Sequence, residues 1–236
     1  MLPSTIILGS SGTGKSSSIA GLPPESTIIL NTEQKALPFR GSAKFKGNLL
    51  VPDRKTFFEK LEQVINSKKV KYVVIESMTS AFEQFEYHNG MAFSGYDAWK
   101  GYNDDISKMW RMIKSSTDKY FFLISIDQVI DSPTGIAERY AAVQGKRWLK
   151  QIEKEAVNVL ISTTKTDVST GTIDYMFVTN KCQGYENTPA KSPPEMFSLE
   201  MPNNLGEVVE KMNSYLNGEE EKESPVQDKS KKVKSN

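Results

Sequence analysis

The residues best equipped for chemistry stand almost at the start of the chain. Gly9-Ser10-Ser11-Gly12-Thr13-Gly14-Lys15-Ser16 matches G-x-x-x-x-G-K-[ST] in full, and Ser17 follows it. Glycines let a loop turn its backbone N–H groups inward, where they can cradle phosphate oxygens. Lys15 is of the right type to reach β- and γ-phosphates, and the Ser16 hydroxyl to ligate Mg²⁺. The run Thr5–Leu8 before the loop reads as a strand, and Ser-Ser-Ser-Ile-Ala-Gly-Leu after it is compatible with a helix. A helix starting near Lys15 would add its positive end to the cradle. The ligand class this motif expects is a nucleoside triphosphate with magnesium.

Two acidic residues fit the same chemistry. Lys71-Tyr-Val-Val-Ile-Glu76-Ser77 reads as an apolar strand ending in a carboxylate. A phosphate loop needs such a group opposite it to orient the metal and its waters. Asp is usual there; Glu is one methylene longer, which suits action through a water. A second strand, Thr27–Leu30, runs into Asn31-Thr32-Glu33-Gln34. Parallel strands present their C-terminal ends on one ligand-binding edge, so Glu33 is expected near the γ-phosphate as general base. Whether Glu33 or Glu76 is the base stays open. A further strand, Tyr120–Ile126, leads into Asp127-Gln128. A neutral amide at Gln128 could hydrogen-bond the γ-phosphate and move on hydrolysis, with Asp127 as the competing candidate.

These groups need a scaffold. Asn158–Ser162 and Tyr175–Thr179 complete the short apolar runs that read as buried strands. Helical stripes lie between several of them: Phe57, Phe58, Leu61, Val64 and Ile65 behind Asp53 as N-cap; Trp99, Tyr102, Ile106, Met109, Trp110 and Ile113; Leu149, Ile152 and Ala156; and Leu205, Val208, Val209, Met212 and Leu216 behind Asn204 with Glu207 three residues on. Strands alternating with helices predict an α/β domain over 1–217, with a mostly parallel sheet and helices on both faces. From Gly218 the chain is charged and nearly free of apolar side chains, so 218–236 is expected to be a disordered tail.

Composition narrows the choices further. The chain has 236 residues and a net charge of +1, from 30 basic and 29 acidic side chains. There is one cysteine, Cys182, and one histidine, His88. That excludes a disulfide scaffold and leaves a Ser-His or Cys-His hydrolase resting on His88 alone. Mean hydropathy is −0.46, and the longest apolar runs fall well short of the roughly 20 residues that span a bilayer. No secretory leader precedes the first strand, so no membrane partner and a cytoplasmic location are expected, in the host cell if the chain is phage-encoded.

Taken together, the phosphate loop, Glu33, Glu76 followed by Ser77, and Gln128 resemble the RecA-like P-loop ATPase core. Within it the chain looks most like compact phage-encoded nucleotide-binding proteins of the AAA/RecA-like type, some of which act in single-strand annealing or recombination. The resemblance spans roughly residues 3–202. It implies ATP and Mg²⁺ as cofactors, hydrolysis of ATP to ADP and phosphate, and self-association into rings or filaments. It also implies single-stranded DNA as partner, in recombination, repair or replication. The late segment Phe177–Gly184 matches a family strand whose basic residue can reach a neighbour's nucleotide. Here only Lys181 is available, with Lys191 nearby, because no arginine follows Trp148.

By the same resemblance, two segments are expected to be loops along a DNA path. One spans Phe85–Tyr96 and includes Phe93 and Tyr96. The other spans Val129–Trp148 and includes Arg139, Tyr140, Lys146 and Arg147. Aromatic rings can stack bases while cations hold phosphates. The alternatives are a nucleotide-switched assembly protein that does not bind DNA, a helicase motor, and a small-metabolite kinase. The kinase is disfavoured by the few arginines after Gln128.

Overall fold

The computed structural model describes residues 1–133 and 135–219. The expected tail therefore lies almost wholly outside the described residues. The strands are β1 (Ser4–Gly9), β2 (Thr27–Asn31), β3 (Asn48–Leu50), β4 (Tyr72–Glu76), β5 (Tyr120–Asp131), β6 (Ala137–Ala141), β7 (Asn158–Asp167), β8 (Thr172–Val178) and β9 (Glu200–Pro202). They join in the order β3-β2-β4-β5-β1-β7-β8-β9, with β6 paired to β5. From β3 to β7 every neighbouring pair is parallel; β6, β8 and β9 add antiparallel pairings.

Side chains alternate across the pleat, so each central strand feeds two cores. Ile6, Leu8, Val73, Ile75, Phe121 and Leu123 face α1 (Arg54–Ile65), α2 (Met78–Ala92) and α3 (Gly95–Ser115). Ile7, Val74, Phe122 and Ile124 face α4 (Leu205–Asn217). This is the mostly parallel sheet with helices on both faces that the sequence predicts. Two caps are as read from sequence. Asp53 Oδ1 accepts from Thr56 N at 2.8 Å, and Asn204 Oδ1 from Gly206 N at 2.9 Å. No helix among the described residues is long and apolar enough to cross a membrane.

The α2–α3 pair is locked by a buried polar cluster. Arg54 Nε and Nη2 donate to the two oxygens of Asp105 at 2.6 Å each, and Asn89 Nδ2 donates to Asp105 Oδ2 at 2.8 Å. Gly101 permits the close approach, since a Cβ there would lie 2.0 Å from Asn89 Oδ1. Truncating Arg54 leaves a buried carboxylate with only the amide as partner. Arg54→Ala is expected to cost about 3 kcal/mol in denaturant unfolding, and a loss under about 0.5 kcal/mol would contradict this account.

One local expectation is refined and three are corrected. The helix expected from Lys15 onward is present as a short 3-10 helix, Ser16–Gly21. Three serines start it, the Ser18 hydroxyl turns back to Lys15 O at 2.5 Å, and Pro23 and Pro24 block extension. The Leu149–Ala156 stripe holds only a short 3-10 helix, Ile152–Glu155. Phe85–Tyr96 is not a loop: α2 runs to Ala92, and α3 begins at Gly95. Phe85 and Asn89 form its buried face, which leaves Tyr87, Met91, Phe93 and Tyr96 exposed. Val129–Trp148 is not a free loop either, because its first part is the antiparallel ribbon of β5 and β6.

Candidate active site

β1 ends at Gly9, and its neighbours outrun it. Gly9 pairs with Ile126, yet β5 continues to Asp131; Leu8 pairs with Ile161, yet β7 continues to Asp167. The phosphate loop therefore sits between two antiparallel ribbons that project from the sheet edge. Gly12 and Gly14 take φ of +84° and +88°, where a side chain would strain the backbone. At Gly14 a Cβ would also lie 2.6 Å from the ring of Tyr175 on β8.

The loop opens onto a cavity of about 400 Å³. Ser11, Gly12 and Gly14 to Ser17 line one side; Glu33, Lys35, Glu76 and Ser125 line the other, with Tyr175 at the rim. Lys15 Nζ donates to Gly9 O at 2.6 Å and to Ser10 O at 2.8 Å. Its burial lowers the ammonium pKa, while Asp127, Glu76 and Glu33 oppose that shift. The Ser16 hydroxyl donates to Glu76 Oε1 at 2.6 Å. Burial pushes the Glu76 carboxyl up to about 7; the Ser16 hydrogen bond and Lys15 lower it, and neighbouring Glu33 raises it.

The strand ends hold the two acids together. Thr32 N donates to Glu76 O at 2.7 Å, and Thr32 Oγ1 to Ser77 O at 2.7 Å. Glu33 is thereby set beside Glu76 and pairs with Lys35 at 3.1 Å. Glu76 Oε2 is buried and has no partner. A hydroxyl, a carboxylate and a free buried carboxylate oxygen form an all-oxygen donor set, which fits a hard divalent cation such as Mg²⁺.

The structure thus gathers Ser11, Gly12 and Gly14 to Ser17 with Glu33 and Glu76 around one cavity, while Gly9, Ser10 and Thr13 complete the loop outside its lining. It does not bring Gln128 there. At that position β5 has passed the end of β1 and is pairing with β6, and Gln128 Nε2 donates to Ala141 O at 3.0 Å. The polar side chain that β5 gives to the cavity is Ser125, whose hydroxyl lies 3.0 Å from Thr79 Oγ1. Asp127, the competing candidate, accepts from Ser10 Oγ at 3.1 Å and pairs with Arg139 at 3.3 Å.

The remaining candidates lie apart from the cavity. Lys181 is exposed beyond β8 and acts electrostatically on Glu138 of β6. Tyr140 OH donates to Glu138 at 3.0 Å, and Lys150 lies over its ring at 4.8 Å. Arg147 sits 5.8 Å from the ring of Trp148, which is core. Lys146 is exposed. Phe93 and Tyr96 stand at the α2–α3 corner near Trp99, and a Cβ at Gly145 would lie 3.0 Å from the Trp99 ring. The second candidate segment therefore meets α3 at Trp99, three residues beyond the end of the first. Sequence reading missed Ser125, Ser162, Asn203 and Tyr175, which carry no motif and reach the loop only through the fold.

No family model matches this chain, and no curated protein matches it. Solved structures similar to it include the following two. One is a KaiC-like protein from the hyperthermophilic archaeon Pyrococcus horikoshii, at 12% identity and a TM-score of 0.44, covering 75% of this chain and 77% of that one. The other is the flagellar accessory protein FlaH from Methanocaldococcus jannaschii, at 13% identity and a TM-score of 0.40, covering 74% and 76%. Both likenesses are distant, and the function of this chain is read from its own residues.

Proposed function

We propose that this protein is a Mg²⁺-dependent ATPase of the RecA-like type, built on residues 1–217 and followed by a charged tail. One observation carries the reading: a complete phosphate loop whose Ser16 hydroxyl bonds Glu76, with Glu33 beside them at one cavity. Lys15 would exchange its two loop carbonyls for β- and γ-phosphate oxygens. Ser16 and Glu76 would hold magnesium, which supplies charge neutralisation at the phosphates. Glu33 would take the proton from the attacking water, and Ser125, in the cavity lining, would sense γ-phosphate occupancy.

The finer reading is action on single-stranded DNA in phage recombination, repair or replication, by rings or filaments of a cytoplasmic protein. It is supported by exposed Phe93 and Tyr96 and by exposed Lys146 and Arg147, whose neighbour Gly145 approaches Trp99 on α3. Lys181 is the lysine available to a neighbouring subunit's nucleotide. The second reading is a nucleotide-switched assembly protein without DNA. It is favoured by the ion pairs that occupy Arg139 and Lys150, with Asp127 and Glu138 respectively.

The ATPase rate with and without single-stranded DNA, across a salt series, separates these readings. Stimulation that falls steeply with salt is expected if phosphate contacts are made. ATP hydrolysis with neither stimulation nor DNA binding at low salt selects the assembly protein.

A further inference from the structure

Thr13 lies between the two positive-φ glycines of the phosphate loop, and its carbonyl is held from outside. Ser162 Oγ, on β7, donates to Thr13 O at 2.7 Å. Asn203 Nδ2, just after β9, donates to the same oxygen at 3.2 Å and to Ser162 Oγ at 2.8 Å. Asn203 is itself placed by its backbone N–H, which donates to Tyr175 O at 3.1 Å. Gly9, at the start of the loop, is pressed against the same residue: a Cβ there would lie 2.6 Å from Ser162 O.

The 13–14 peptide is not among the cis bonds of the described chain, so its C=O and the next N–H point in opposite directions. Pinning Thr13 O to β7 and the 203 corner turns the Gly14 N–H the other way. Gly14 lines the cavity, and its N–H has no hydrogen-bond partner among the described residues.

From this we infer that Ser162 and Asn203 are positioning residues of the nucleotide site, which aim the Gly14 N–H at a phosphate oxygen of the bound nucleotide. The inference rests on the ATPase reading above. It gives the late strand β7 and the segment ahead of α4 a role in phosphate binding, although neither touches the ligand. Their work is done before binding: a loop amide already oriented costs no ordering entropy when the phosphate arrives.

Calorimetric titration of the full chain with Mg-ATP and Mg-ADP tests this, with steady-state kinetics alongside. Ser162→Ala and Asn203→Ala are each expected to weaken binding about three- to tenfold, the worth of one hydrogen bond. The loss should be equal for ATP and ADP, because loop N–H groups cradle phosphates that both contain. KM should rise while kcat stays within about twofold, the pattern of lost uniform binding. Melting temperatures should move by no more than about 4 °C. Ser162→Thr keeps the hydroxyl and should restore affinity. Should Asn203→Ala fail to fold, the Ser162 pair of variants decides alone. Wild-type affinity in Ser162→Ala, or a loss that Ser162→Thr does not restore, overturns the assignment while leaving the ATPase reading intact. A wild-type chain that binds neither nucleotide overturns both.

Discussion

Lys15→Ala is expected to weaken Mg-ATP binding by about 100-fold or more, because a charge-assisted contact in a buried site is lost with no replacement. Lys15 is the phosphate loop's only cation, and Asp127, Glu76 and Glu33 all act on it electrostatically. Removing it leaves those carboxylates facing an incoming triphosphate, so repulsion adds to the lost hydrogen bonds. The fold should persist, since the Lys15 amine now bonds only Gly9 O and Ser10 O within its own loop. Calorimetry with Mg-ATP, paired with a thermal melt, checks both halves. Affinity within twofold of wild type would sink the assignment of this loop as the phosphate site.

The second large effect separates the two acids. Glu33→Gln should lower turnover by about 10²- to 10⁴-fold while ATP affinity stays within about threefold, as expected when a general base is lost and shape is kept. Glu76→Gln should act differently. It keeps a carbonyl for the Ser16 hydroxyl but removes the charge, so the magnesium concentration needed for half-maximal activity should rise. A magnesium titration of single-turnover hydrolysis reads both variants. If Glu76→Gln binds ATP and magnesium normally yet stops chemistry, while Glu33→Gln still turns over, the two roles are exchanged.

Much of this site was legible because its parts are local. The phosphate loop is eight contiguous residues whose glycines fall where the backbone needs positive φ, at Gly12 and Gly14. Asp53 and Asn204 cap helices a few residues away, so short-range spacing sufficed. Glu76 was readable because an apolar run that ends in a carboxylate marks a strand's C-terminal end, and Glu33 because it follows the apolar run of β2 by three residues. Gln128 misled for the opposite reason. Alternation shows which residues share a face, but not where a strand stops. The turn signal Asp131-Ser-Pro-Thr-Gly135 was present in the sequence, yet only its pairing across β6 makes Gln128 part of a ribbon.

The sequence by itself therefore determined the phosphate loop, the acid that ends β4, the acid just beyond β2 and the alternation of strands with helices, since each is set by neighbours along the chain. Tertiary structure decided the rest. Strand order inserts β5 between β1 and β4, and this puts Ser125 in the cavity and Asp127 against Ser10. The same folding carries Ser162 and Asn203 to Thr13 from far along the chain. Such contacts have no periodicity or composition to announce them. They exist only once the hydrophobic faces of distant segments have been buried together, which fixes where every polar group between them must point.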